Sequence, residues 1–409
     1  MRNKKTPAKL STNLIHKGDG KFCRKLADMS SVPETFPVYL TSVFAFDEVP
    51  PVDAIYEHKS DAYIYSRMAN PNSDAVAEIL AAADGSPSAR KKKTGALVFS
   101  SGMAAIITAI LSSVKSGDHI VASSVLYGGV YDYLANELPR FGVSVTFVDF
   151  LKDDFTRAFR PETKLVYTEI ISNPLMEVPD IAAIAKEAHS RGLLFFVDNT
   201  FATPAIARPL SLGADASLYS TTKYLGGHSD ITGGALTANS ELVAKIKRFQ
   251  TLYGAMPSPL DCWLLARSLR TLDLRMKKHS KNALLVAEFL EAHPKVEKVF
   301  YPGLKSSPSH KTAAAQFANG RFGGMLSVNI KGGVREASKL IKEMKIISFV
   351  PSLAGTATTV SYPVKTSHRA YSAEALKAAG ITQGQLRFSI GLEDADDIIA
   401  DISASLDKI

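Results

Sequence analysis

From residue 73 onward the chain alternates between short apolar runs and longer amphipathic stretches. The apolar runs fall at 96–99, 119–122, 143–148, 165–169, 193–197 and 216–219. Between them, 73–83, 104–114, 130–141 and 181–190 have helical spacing, the first with Ser73 as its expected N-cap. Strands this short and apolar, separated by helices, predict parallel pairing through right-handed crossovers. The expected fold is a three-layer α/β/α domain. The pattern changes after Ala255-Met-Pro257-Ser-Pro259, where one long helical stretch, 260–292, leads into mixed strands and helices up to Ile409. A smaller α+β C-terminal domain is expected there. Residues 30–62 hold Pro33, Pro37, Pro50 and Pro51, which fit neither a helix interior nor a central strand. The expected division is an N-terminal arm (1–62), an α/β domain (63–256) and an α+β domain (257–409).

Composition narrows the class. With 46% hydrophobic and 22% charged residues among 409, the chain matches soluble globular proteins and not disordered or fibrous ones. No apolar run is long enough to cross a membrane as a helix. The two cysteines, Cys23 and Cys262, are too few for a disulfide framework and are read as inert. Cytoplasm is the expected compartment, with no metal, membrane or nucleic-acid partner. The net charge of +8 arises almost entirely from the first 25 residues, where eight Lys and Arg face Asp19 alone. That arm and the run 90–93 are read as solvated charge, not as a polyanion site.

Ligands of open α/β sheets bind beyond the carboxyl ends of the strands, so the residues there carry the chemistry. Ser101-Gly102-Met103 opens a helix, whose free N–H groups form an anion seat. Tyr127 stands beside Gly128-Gly129, and Ser172-Asn173-Pro174 follows the run 165–169. Asp198 ends the apolar run 193–197, and Lys223 closes Ser220-Thr221-Thr222. Singly, these are a cap, a strand-end acid and a solvated lysine. Together, each follows a different strand, and the set answers the needs of pyridoxal 5'-phosphate. A lysine forms the Schiff base, an aspartate keeps the pyridine nitrogen protonated, an aromatic stacks on the ring and a helix start holds the phosphate. The dinucleotide alternative lacks Gly-x-Gly-x-x-Gly followed by an acid, and no phosphate-loop motif is present.

These motifs resemble the trans-sulfuration (Cys/Met metabolism) family of fold-type-I pyridoxal phosphate enzymes. The markers run from Pro37-Val-Tyr39 through Tyr63-Ile-Tyr65-Ser-Arg67 with Asn70-Pro71, Ser101–Ala105, Tyr127–Gly129, Ser172–Pro174, Val197–Thr200 and Ser220–Tyr224 to Arg387-Phe-Ser-Ile-Gly391-Leu-Glu393. The resemblance implies an aspartate-aminotransferase-like fold and a role for each matching residue. Lys223 would carry the cofactor and shuttle protons. Asp198 would pair with the pyridine nitrogen, and Tyr127 would stack on the ring and act at the leaving sulfur. Gly102, Met103, Ser220 and Thr222 would hold the phosphate, with Thr200 and Asn173 beside the cofactor. Arg387 would clamp the substrate α-carboxylate, Ser352 would line the same pocket, and Asn173 would lie near the substrate. Tyr65 and Arg67 would reach a neighbouring subunit's phosphate, which implies a dimer at least and a tetramer by family habit.

The resemblance also narrows the reaction to γ-elimination from methionine, cystathionine or homocysteine, giving a thiol, ammonia and a 2-oxo acid. The alternatives are γ-replacement between an activated homoserine and a thiol, and a catalytically silent regulatory protein. Departures from the family pattern cluster where the distal half of the substrate would bind. Pro351 replaces a frequent Glu, Asp132 an Arg and Gly129 the Cys of methionine γ-lyases. Ser361-Tyr362-Pro363-Val364 replaces a His-Pro-Ala segment.

Overall fold

Phe195 and Phe196 are neighbours in sequence and both fully buried, yet they belong to different cores. Side chains alternate across a strand, so a strand with two buried faces must lie between two layers. The computed structural model shows this arrangement. It describes residues 9–18, 32–57, 59–85, 93–366, 369, 374, 376 and 380–409. Cys23, most of the basic arm and residues 90–92 lie outside these.

The large sheet has seven strands: β1 (Thr94–Phe99), β2 (His119–Ser123), β3 (Ser144–Val148), β4 (Thr163–Glu169), β5 (Leu194–Asp198), β6 (Ala216–Ser220) and β7 (Gly234–Asn239). Their order is β1-β7-β6-β5-β4-β2-β3. Strands β2 to β6 pair in parallel, as their apolar runs predict. The sheet as a whole is mixed, because β7 runs antiparallel to both β6 and β1. Its sequence, Gly-Ala-Leu-Thr-Ala-Asn, is too small and too weakly apolar to stand out as a strand.

Three helical expectations change. The helix Pro71–Asp84 is capped by Asn70, whose side chain accepts from the Asn72 N–H, while Ser73 Oγ donates to Asn70 O at 2.9 Å. Pro71 suits the first turn, where its missing N–H costs nothing. The stretch 130–141 changes pitch twice, from α (Gly128–Asp132) through π (Tyr133–Glu137) to 3-10 (Leu138–Phe141). The long stretch 260–292 is two helices, Pro259–Leu269 and Leu272–Ala292. There Thr271 Oγ1 and Arg275 Nη2 both donate to Ser268 O, which takes that carbonyl out of the helical ladder.

The smaller sheet holds β8 (Val296–Phe300), β9 (Met325–Ile330), β10 (Ser348–Phe349), β11 (Thr359–Ser361) and β12 (Gln385–Ser389), in the order β10-β11-β12-β9-β8. It has its own core, centred on Leu326, Val328, Leu386 and Phe388. Helix Pro259–Leu269 packs instead into the core beneath the large sheet, through Cys262, Leu265 and Leu269. In the arm, Pro50 and Pro51 open a short helix, Pro50–Tyr56, and Val43 bridges Tyr65. No helix among the described residues is long and apolar enough to cross a membrane.

Candidate active site

The carboxyl ends of β2, β4, β5 and β6 open on one cavity of about 660 Å³, closed on the other side by β12 and the loop 351–353. Of the sequence-predicted residues, Gly102, Met103, Tyr127, Asn173, Asp198, Thr200, Ser220, Thr222, Lys223, Ser352 and Arg387 all line it. The constellation spread over 286 positions of chain, from 102 to 387, is therefore one site.

The anion seat is built at the start of helix Gly102–Leu111. Ser101 Oγ accepts from the Ala104 N–H at 3.0 Å, which caps the helix and leaves the earlier N–H groups free. A Cβ at position 102 would stand 2.8 Å from Ser220 Cβ. Only glycine permits that approach between the helix start and the end of β6. Thr200 ties the ends of β5 and β6 together. Its N–H donates to Asp198 Oδ1 and its Oγ1 accepts from the Ser220 N–H, both at 2.8 Å. Thr222 Oγ1 accepts from the Gly233 N–H at 3.0 Å.

Lys223 Nζ donates to Ser352 Oγ at 3.0 Å. Burial, reinforced by the Arg387 charge, lowers its pKa to about 8. Arg387 is 3% exposed, and its Nη1 donates to Asn173 Oδ1 at 2.8 Å. Burial lowers its pKa to about 10, which leaves it charged at neutral pH. Its buried Nε–H has no hydrogen-bond acceptor among the described residues. Asn173 is held by the turn before Pro174, reached through a cis peptide bond.

Glu169 lines the cavity too, and like Lys365 and Arg369 it is not among the residues expected from sequence. It ends β4 directly opposite Asp198 on β5. Its Oε1 accepts from the Tyr127 N–H at 2.6 Å, which fixes the loop that carries the tyrosine. Burial raises both acids, and the Asp198 charge raises Glu169 further. The signal for Glu169 was the one used for Asp198, a carboxylate ending an apolar strand. The Tyr127 ring lies over Gly129, where a Cβ would come within 2.8 Å of the ring.

Tyr65 and Arg67 do not enter this cavity. They line a separate groove with Ser42, Asn70 and Met256. Arg67 Nη1 donates to Thr251 O at 2.9 Å, and its guanidinium lies 5.5 Å from the Tyr65 ring centre. Cys262 also borders that groove, 1% exposed, with burial pushing its thiol pKa up. Such a thiol is inert, as expected.

The model of the Cys/Met metabolism PLP-dependent enzymes matches residues 11–407. The chain belongs to this family. It is 41% identical over 377 residues to an L-methionine gamma-lyase of Porphyromonas gingivalis, covering 91% of this chain and 92% of that one. It is 39% identical over 402 residues to a cystathionine gamma-lyase of Dictyostelium discoideum, covering 98% of each. A solved cystathionine gamma synthase from Xanthomonas oryzae pv. oryzae, in complex with cystathionine, superposes with a TM-score of 0.89 at 34% identity, covering 98% of this chain and 99% of that one. The protein is thus a pyridoxal-phosphate-dependent enzyme of fold type I.

The residues present fit the family cofactor. The glycine-walled helix start offers its N–H groups to a phosphate. The buried Asp198 carboxylate is stabilised when a protonated ring nitrogen meets it. Lys223 lines the cavity, partly deprotonated near neutral pH and so able to bond an aldehyde carbon.

Proposed function

We propose that the protein eliminates the γ-substituent of a sulfur amino acid: methionine, cystathionine or homocysteine. The Cγ–S bond breaks, one water is consumed, and a thiol, ammonia and 2-oxobutyrate leave. The observation that carries this reading is the pairing of a lowered Lys223 amine with an Arg387 whose buried Nε–H awaits an acceptor, in one cavity. A substrate α-carboxylate satisfies that guanidinium in the bidentate geometry it favours. Both named relatives above 38% identity are lyases, which supports elimination.

Bound pyridoxal phosphate supplies the electron sink that acidifies the substrate's Cα–H and Cβ–H. Gly102, Met103, Ser220 and Thr222 hold its phosphate, and Asp198 keeps a proton on its ring nitrogen. Lys223 removes the Cα and then the Cβ proton. Tyr127 would pack against the cofactor and would give a proton to the leaving sulfur. Asn173 and Ser352 line the pocket beside Arg387. Tyr65 and Arg67, turned away from their own cavity, complete the site of a second copy, so the dimer is the smallest active unit and a tetramer the expected assembly. The division at residues 62 and 256 and a cytoplasmic location belong to the same reading.

Purified, cofactor-loaded protein should release 2-oxobutyrate from methionine, homocysteine or cystathionine without added thiol, and Lys223→Ala should remove that release. The synthase-like structural match favours γ-replacement as the second reading. If only an O-acylated homoserine reacts, and added thiol diverts it into a thioether, that reading replaces the first.

A further inference from the structure

Six charged side chains line the cavity: Lys223, Lys365, Arg369 and Arg387 against Glu169 and Asp198. Four of them have work in the reaction as proposed above. Lys223 and Asp198 serve the cofactor, Arg387 the α-carboxylate, and Glu169 holds the Tyr127 loop through its main-chain N–H. The phosphate has its own seat at the start of helix Gly102–Leu111. Lys365 and Arg369 are left over. Lys365 ends a short 3-10 turn, Pro363–Lys365, whose main chain is fixed by the Lys365 N–H donating to Tyr362 O at 2.9 Å. Arg369 follows on the same wall, its N–H donating to Thr366 O at 3.3 Å. Among the described residues neither side chain makes an ion pair. Pro351, Leu353, Met103, Ile106 and Phe201 line the cavity as well. These offer no carboxylate to a distal ammonium.

We propose that Lys365 and Arg369 form an anion subsite for the far end of the substrate. The enzyme would then prefer amino acids whose γ-substituent ends in a carboxylate or phosphate over those with a neutral or cationic end. The inference rests on the reading of the Lys223 cavity as an amino-acid site. The physical ground is charge balance. Once the cofactor phosphate and the α-carboxylate are seated, two exposed cations remain at the cavity, and a second anion on the substrate neutralises them. A distal ammonium meets only repulsion there.

The test uses two thioethers with the same three-carbon substituent chain, S-(2-carboxyethyl)-L-homocysteine and S-propyl-L-homocysteine, with O-phospho-L-homoserine to separate carboxylate from phosphate. Release of 2-oxobutyrate and the change in cofactor absorbance on binding are both read. The wild type should favour the carboxylate over the propyl compound by about tenfold in kcat/KM at low salt. The preference should shrink at about 0.5 M salt, since exposed charges are screened. Lys365→Gln with Arg369→Gln should remove the preference, while Lys365→Arg should keep it. A wild type that favours the propyl compound, or a double variant with an unchanged ratio, overturns the proposal. If neither thioether yields 2-oxobutyrate, yet the absorbance titration shows the charge preference and its loss in the double variant, the subsite stands and the elimination reading falls.

Discussion

Lys223 must be held in place and yet be free to lose its proton. Ser352 Oγ holds it at 3.0 Å, while burial and the Arg387 charge drive the proton off. The folded-state pKa of about 8 lies below the usual lysine value of 10.5. The neutral amine, which is the form that bonds an aldehyde, therefore accumulates as pH rises through 8. The rate at which cofactor-free protein takes up pyridoxal phosphate, followed by absorbance, should climb between pH 7 and 9 and then level off. A rate still rising steeply at pH 10 would show that Lys223 behaves as an ordinary solvated amine. At the same scale, sequence made Asp198 and Lys223 legible because each breaks its local pattern. Glu169 breaks its pattern too, but its partner is the main chain of Tyr127, 42 residues away, which no local spacing encodes.

Among the elements, the join between helix Gly102–Leu111 and β6 is the tightest near the site. Gly102→Ala places a methyl carbon 2.8 Å from Ser220 Cβ, so the helix start must shift. Cofactor affinity, measured by equilibrium dialysis, should fall about tenfold or more while the fold survives, since one misplaced N–H group at an anion seat costs on the order of 1.5 kcal/mol. Retained affinity would mean that the seat does not depend on this approach. Strands β2, β3 and β4 share a second device. His119 on β2 bonds Thr163 Oγ1 on β4 at 2.8 Å and Thr146 Oγ1 on β3 at 2.9 Å. Burial lowers its pKa from 6.5 to about 4, so the folded protein keeps it neutral where the unfolded chain would protonate it. The stability this gives is complete above pH 6.5 and is lost as pH falls toward 4. About 1.5 kcal/mol goes between pH 6.5 and 5 through this one group. His119→Gln should be less stable at pH 7 and show a flatter decline in melting temperature between pH 7 and 5. An equally steep decline would assign the acid sensitivity to other groups.

At the scale of the whole molecule, the two grooves do not coincide. The Lys223 cavity is lined by all of the expected cofactor and substrate residues except Tyr65 and Arg67, which line the other groove. If these act across a twofold interface, Arg67→Ala and Lys223→Ala damage different sites of one dimer. Each variant alone should be poorly active. After mixing, dissociation and reassembly, half the dimers are hybrids with one intact site each, so about a quarter of wild-type activity should return. No recovery, with hybrids demonstrated by mass, would place Arg67 in its own subunit's site.

The strands β2 to β6, the helices that cover them and the chemistry at their carboxyl ends follow from the sequence itself. Period, strand length and isolated strand-end charges are local properties, and local rules read them. What the tertiary structure decided depends on distant backbone. The direction of β7 is set by its two neighbours, since small residues carry no strong strand preference of their own. The division of the stretch 260–292 comes partly from Arg275 reaching the carbonyls of Tyr224 and Leu225 as well as that of Ser268. Lys365, a lone charge two residues after a proline in sequence, joins residues as distant as Gly102 in lining one cavity only in the folded chain. A charge gains meaning from what surrounds it, and that is fixed by folding rather than by spacing.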